Sequence, residues 1–321
     1  MDAWLILTLL CAVFAALASF FDNSIVDNHF NNSRPQAQKC FFGPFYAVVA
    51  ILIFVFYSIF YGFSSFSLSS ALLIILSGAI LSLSSIPYYF ALKSENTTGA
   101  AIFFQLTPIF YLVFGAVFLG EKISPLQLLA FFILLFAPLL IIFSTRRRGK
   151  KLEYKAAAFI LVHILILTFS YIFFLLAERN ASATGGEIPM ALAVAFMLSG
   201  RAIFDITLSL SSKKWRKDFS RVMKKSNRRV LFPLFSSGIL WTANDVMLRI
   251  AMILGQVAVV SAVESVVRLF AIFLFGIVFT IVWPKFGREK LDKRTVLVHF
   301  IAIIIAIFGI LLVENPELFG G

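Results

Sequence analysis

Residues 257–282 read VAVVSAVESVVRLFAIFLFGIVFTIV. A helix rises about 1.5 Å per residue, so about 20 apolar residues cross the hydrocarbon core of a bilayer. This run exceeds that length and carries two charges, Glu264 and Arg268, one helical turn apart. It decides the solvent in which the chain folds, and it places ionised groups where water is scarce.

Nine further stretches have the same character, at 3–21, 42–63, 71–92, 99–119, 125–143, 156–177, 188–211, 231–254 and 295–313. Together with 257–282 they predict an all-α membrane protein of ten spans. Composition agrees: of 321 residues 60% are hydrophobic and 14% charged, and the mean hydropathy is +0.95. Soluble domains hold about 25% charged residues. Ten spans and short connections use up the length, which leaves no room for a sizeable soluble domain. A cleaved signal peptide at the N-terminus is disfavoured by the uncharged and acidic start, Met1-Asp2. Cys11 and Cys40 have neither metal spacing nor a disulfide framework.

Lysine and arginine set the orientation. Twenty-three of the 28 fall on connections 1–2, 3–4, 5–6, 7–8 and 9–10, counting Arg34, Lys39 and Lys93, while the alternate connections hold Lys122 and Arg179. Basic connections stay cytoplasmic, so both termini are expected outside a plasma or inner membrane. The net charge of +12 is therefore mostly loop retention. It does not point to nucleic acid, because the charges are not interleaved with base-stacking aromatics. In the basic segment 212–230, Trp215, Phe219, Val222 and Met223 recur at helical spacing. This predicts an amphipathic helix on the inner leaflet, held by anionic headgroups at Lys213–Arg229.

The chain also repeats. A shift of 160 residues sets Ala91 on Ala251 and Phe110 on Phe270, and Glu121-Lys122 returns as Glu289-Lys290 after a short insertion. Each half holds an odd number of spans, so the halves insert in opposite senses. This predicts a first repeat at 1–145, a basic cytoplasmic connection at 146–155 and a second repeat at 156–321. Inverted repeats around a central cavity are characteristic of secondary transporters.

The run 98–124, TGAAIFFQLTPIFYLVFGAVFLGEKIS, followed by Pro125-Leu126-Gln127, has a small-residue start, a mid-helix proline at 108 and Phe-Leu-Gly-Glu at 118–121. It resembles the signature of EamA-like members of the drug/metabolite transporter superfamily. A weaker second copy runs over 257–313, with Arg268 where the first has Pro108. The resemblance implies ten helices in two inverted five-helix repeats and movement of small metabolites. It also implies a cavity lined mainly by spans 1, 3, 4, 6, 8 and 9. On it, Tyr88, Tyr89 and Gln105 are candidates to face the cavity.

The intramembrane charges are the strongest local signal. Arg201/Asp205, Asp245/Arg249 and Glu264/Arg268 each sit four residues apart and share a helix face. Counted from the outer ends, they lie from about 8 Å deep (Arg249) to about 26 Å (Asp205). Each charge at such a depth costs about 2.5–3.5 kcal/mol even on lenient scales. They must face protein or a wet cavity. One reading is a polar substrate site; the other is a closed salt-bridge network that orders the helices. Trp241 and Asn244 stand beside Asp245, where an aromatic ring and an amide next to charge suit an amine or a ring. His163 is a lone histidine on an apolar span. An acid kept ionised by its own arginine is a poor proton carrier, which points to exchange rather than proton coupling.

GxSxG, HExxH, P-loop and CxxC motifs are absent, and no cofactor or metal is expected. Three function classes follow. The first is a secondary transporter or exchanger of a small polar or amphiphilic metabolite. The second is an integral-membrane enzyme acting on a lipid-linked substrate, and the third is a sensor or scaffold. Monomer and homodimer stay open.

Overall fold

A computed structural model describes residues 2–30, 33–62, 67–94, 104, 106–145, 154–183, 188–226, 229–282 and 293–314. Most of those residues are helical, with no strand among them. In chain order the helices are α1 (Ala3–Asn28), a short 3-10 helix (Pro35–Gln38), α2 (Lys39–Tyr61), α3 (Leu68–Ser94), α4 (Thr107–Leu119) and α5 (Pro125–Thr145). They continue with α6 (Tyr154–Ala183), α7 (Met190–Ser211), α8 (Lys213–Lys225), α9 (Leu231–Leu254), α10 (Val257–Val282) and α11 (Lys293–Glu314).

Seven segments are long and apolar enough to cross a membrane, lying in α1, α2 with its 3-10 lead, α3, α6, α7, α9 and α10. Three shorter apolar stretches lie in α4, α5 and α11. The chain is an all-α membrane protein. Its surface shows the same adaptation: α2 exposes Val48, Ile51, Leu52, Val55, Phe56, Ile59 and Phe60 on one broad face. In water such a face would be an aggregation hazard; in lipid it is the normal exterior.

The helices fall into two compact units, each drawing on both halves of the chain. One unit comprises 1–23, 94–157 and 239–321; the other comprises 24–93 and 158–238.

The 24–93/158–238 unit is held by close helix crossings. A methyl group added at Gly200 would lie 1.9 Å from the Ile75 carbonyl oxygen, and one at Gly78 1.9 Å from that of Met197. The backbones of α3 and α7 therefore touch, which only glycine permits. Between α3 and α6, Ser77 donates to the Ser170 carbonyl and Ser170 to the Ser77 carbonyl, both at 2.8 Å. Small residues and reciprocal hydroxyl bonds are how helices adhere when lipid removes the hydrophobic difference between them.

The segment 212–230 forms a helix over Lys213–Lys225, as its periodicity predicts. The Ser212 side chain caps it by accepting from the Trp215 N–H. Val222 is buried and Trp215, Phe219 and Met223 half-buried, while Lys213, Lys214, Lys217, Arg221, Lys224 and Lys225 are exposed. Asp218 ties α8 to the 3-10 turn by accepting from Arg34 at 2.9 Å.

In the other unit, the Phe-Leu-Gly-Glu stretch is a capping device. Gly120 closes α4 at φ +62°, a left-handed conformation that favours glycine. The turn directs Glu121 back over Gly115, where a methyl group would lie 2.9 Å from the Glu121 carboxylate. Glu121 Oε1 then accepts from the Val257 N–H at 3.1 Å, at the start of α10. A carboxylate there meets both an orphan donor and the positive end of the helix dipole. Ser124 and Gln127 form a reciprocal capping box at the start of α5. At the opposite crossing, α11 brings Gly309 against Leu134 of α5, in a core shared with Ala130, Phe131, Ala302 and Ala306.

Candidate functional site

The candidate residues divide between the units. Trp241, Asn244 and Asp245, with Arg249, lie on α9, and Glu264 and Arg268 on α10, all in the unit that contains both termini. Tyr88 and Tyr89 on α3, His163 on α6, and Arg201 and Asp205 on α7 lie in the other. Gln105 lies outside the described residues, as do most of the basic connections at 146–155 and 283–292.

On α9 and α10 the charges are interior. Asp245, Arg249 and Glu264 are buried, with Arg249 1% exposed. Arg268 stands 3.3 Å from Glu264, at an angle that leaves Glu264 Oε1 without a hydrogen bond, and its guanidinium lies 5.1 Å from the centre of the Phe104 ring. All four charges are close enough to the buried Tyr111 hydroxyl on α4 to act on it electrostatically. Those of Asp245, Glu264 and Arg268 also reach Cys11 on α1. Three helices thus present polar groups to one neighbourhood around Tyr111. That tyrosine carries no signal in the sequence, where it is one aromatic among many.

Helix α1 adds a further carboxylate. The hydropathy of the sequence ends the first span at residue 21, which would leave Asp22 facing water. The helix instead continues to Asn28, and Asp22 is fully buried. Its Oδ2 accepts from the Trp241 indole N–H at 2.8 Å. Asp22 survives at that depth because a neighbouring helix supplies a donor, which a hydropathy window cannot foresee.

In the other unit, Asp205 takes a partner that the sequence does not suggest. The apolar run of the second span starts at residue 42, so Lys39 reads as a loop lysine. It is the first residue of α2, is 1% exposed, and places Nζ 2.6 Å from Asp205 Oδ1. The same ammonium donates to the Ser82 carbonyl at 2.8 Å and the Ser82 hydroxyl at 3.0 Å. Ser82 Oγ donates in turn to Asp205 at 2.5 Å. All three ammonium donors are therefore used. Arg201 donates to the Tyr46 hydroxyl at 2.6 Å, with its guanidinium 4.0 Å from the centre of that ring.

Tyr88, Tyr89 and His163 form a second, buried group in this unit. Tyr88 lies 5.4 Å from both the Tyr89 and His163 rings. His163 Nδ1 stands 2.7 Å from the Ser84 carbonyl. A carbonyl only accepts, so Nδ1 carries the proton. Pro87 removes one helical donor in this part of α3. The nearby carbonyls of Ser82 and Ser84 take bonds from Lys39 and His163.

Among the described residues, the interior around Tyr111 and Trp241 holds Asp22, Asp245 and Glu264 against Arg249 and Arg268. The Lys39 network holds Lys39 and Arg201 against Asp205. Among the described residues, no cluster of His, Cys, Asp or Glu could hold a metal ion.

No family model and no curated protein matches the sequence. Among solved structures, one known only by the description "Crystal structure of protein" is similar over 96% of this chain and 94% of its own, with TM-score 0.58 at 15% identity. At that identity the likeness speaks for the fold alone.

Proposed function

We propose that the protein is a secondary transporter or exchanger that moves a small polar or amphiphilic metabolite by alternating access. The proposal includes ten membrane crossings arranged as two inverted five-helix repeats, in the manner of the EamA-like transporters that the 98–124 motif resembles. The protein would lie in a plasma or inner membrane, with its basic connections cytoplasmic and both termini outside.

One observation carries this reading. The titratable side chains Asp245, Arg249 and Glu264 of α9 and α10 are buried inside their unit, near enough to the buried Tyr111 to act on it electrostatically. An ionisable side chain inside a membrane protein is by default a candidate contact on a solute pathway. The Lys39–Asp205–Ser82 group, whose ammonium is fully bonded, suits a structural role, so Arg201 and Asp205 rank behind the α9–α10 residues as solute contacts.

Helix α8 fits the same picture as an inner-leaflet anchor, with its lysines turned outward toward anionic headgroups.

Counterflow in liposomes against pooled metabolites tests the proposal, because it assumes neither coupling ion nor direction. Exchange of at least one solute, with labelling of Ser261→Cys that changes when that solute is added, is the expected result. Turnover of a lipid-linked substrate in detergent, with no exchange across a sealed bilayer, would instead identify a membrane enzyme.

A further inference from the structure

Helix α8 has two faces with different surroundings. On one, Val222 and Asp218 are buried, and Asp218, the one acid in the helix, accepts from Arg34 at 2.9 Å and from Arg221 at 3.4 Å. The other face is exposed and carries Lys213, Lys217 and Lys224. Ser220, also exposed, is the one hydroxyl within Lys213–Lys225. At about 100° per residue, Lys213, Lys217, Ser220 and Lys224 fall within about 60° of one another around the helix axis. Arg216 and Lys217 thus lie one turn before the hydroxyl and Lys224 one turn after it. Among the described residues, Ser220 Oγ makes no hydrogen bond.

This hydroxyl is in reach of an enzyme, and its own helix does not occupy it. Bases stand four and three residues before it. A kinase with an acidic substrate groove selects such a serine by charge complementarity. Thirteen residues make a marginal helix on their own, so α8 can open into an active site while the spans beside it stay folded.

We infer that Ser220 is a phosphorylation site and that its phosphate releases α8 from anionic headgroups. The inference deepens the reading of α8 as an inner-leaflet anchor and rests on it. In the transfer, Ser220 Oγ forms a bond to the γ-phosphorus of a nucleoside triphosphate as the bond from that phosphorus to the β-phosphate oxygen breaks. The diphosphate leaves, and the hydroxyl proton passes to the carboxylate base of the kinase. The product carries about −1.5 to −2 charges at neutral pH. One turn from Lys217 and Lys224, it offsets up to about two of the positive charges on this face. Each such charge contributes about fivefold to attraction toward an anionic leaflet, so the release is about 10- to 25-fold.

The test uses the full-length protein. A serine kinase directed to hydroxyls preceded by bases, with Mg²⁺ and ATP, is the probe, and mass spectrometry locates the phosphate. The wild type should gain one phosphate, at Ser220, and Ser220→Ala none. Each protein is then placed in nanodiscs of phosphatidylcholine, alone or with about 30% phosphatidylserine, and acetylated briefly to read the cover of Lys213 and Lys225. Phosphatidylserine should slow acetylation at least about fivefold in the unmodified wild type and in Ser220→Ala, and should have no effect after phosphorylation. Ser220→Glu, which adds one negative charge, should lose about fivefold of the protection. A wild type that takes no phosphate at Ser220, or incorporation that Ser220→Ala keeps in full, overturns the inference. Equal protection before and after phosphorylation also overturns it and leaves the anchor reading standing. If phosphatidylserine protects neither lysine in the unmodified protein, the anchor reading falls and the inference falls with it.

Discussion

Replacing Lys39 by methionine strands a carboxylate. Lys39 and Asp205 are 1% and 2% exposed in their side chains and 2.6 Å apart. At an effective dielectric of about 20, their attraction is about 6 kcal/mol. Withdrawing each ion from water costs several kcal/mol, so the intact pair is close to neutral for stability. Removing one partner is different, because Asp205 then keeps its burial and loses its counter-charge. Such losses run to about 3–5 kcal/mol. Ser82 still donates to Asp205, which places Lys39→Met near the lower end, at about 3 kcal/mol. Asp205→Leu should cost a similar amount by stranding the ammonium. The double variant, apolar on both sides, should return to within about 1 kcal/mol of the wild type. Equilibrium unfolding in mixed micelles measures all four proteins. A single-variant loss below about 1 kcal/mol, or a double-variant loss equal to the sum of the singles, would refute the reasoning. Counterflow on the double variant separates two roles: preserved exchange means that the pair is scaffolding, and lost exchange in a stable protein means that it handles solute.

Gly200→Val sets a side chain where a single methyl group would lie 1.9 Å from the Ile75 carbonyl, so α3 and α7 must separate; a loss of about 3 kcal/mol or more, or no monodisperse protein in size-exclusion chromatography, is expected. Glu121→Ala removes the acceptor at the start of α10 and should cost about 1–2 kcal/mol in the same unfolding assay, with Glu121→Gln recovering part of it. His29 is half-buried beside Ser226 Oγ at 2.9 Å, and burial lowers its pKa from the ordinary 6.5. The unfolded chain therefore takes up the proton first, so the His29 contribution is present above 6.5 and shrinks as pH falls through that value. Melting temperatures measured across this range should drop more steeply for the wild type than for His29→Gln.

The all-α membrane character was legible because period and length suffice for a membrane helix, and α9 and α10 keep the bounds that their apolar runs suggest. The amphipathic stripe of Trp215, Phe219, Val222 and Met223 was legible for the same reason. What hydropathy conceals is a polar residue at the end of a span. Lys39 and Asp22 each sit where an apolar run starts or stops, and both are interior because another helix offers a partner. Such partners are tertiary facts, separated in sequence by 166 residues for Lys39 and Asp205 and by 219 for Asp22 and Trp241. The pairing of Glu264 with Arg268 follows from their spacing, since residues four apart share a helix face. The role of Tyr111 does not, because it depends on which way α4 turns.

Glu121 and the Val257 amide that it caps are 136 residues apart, and the unit that contains them is assembled from 1–23, 94–157 and 239–321. A ribosome therefore delivers the acceptor long before the donor exists. Through that interval the early helices of this unit must reside in the bilayer with their polar groups unsatisfied by the contacts they finally make. Translation order thus gives the insertion machinery a chaperoning task, and it makes separately expressed halves of the chain poor surrogates for the whole: each would carry incomplete portions of both units, and neither would complete one.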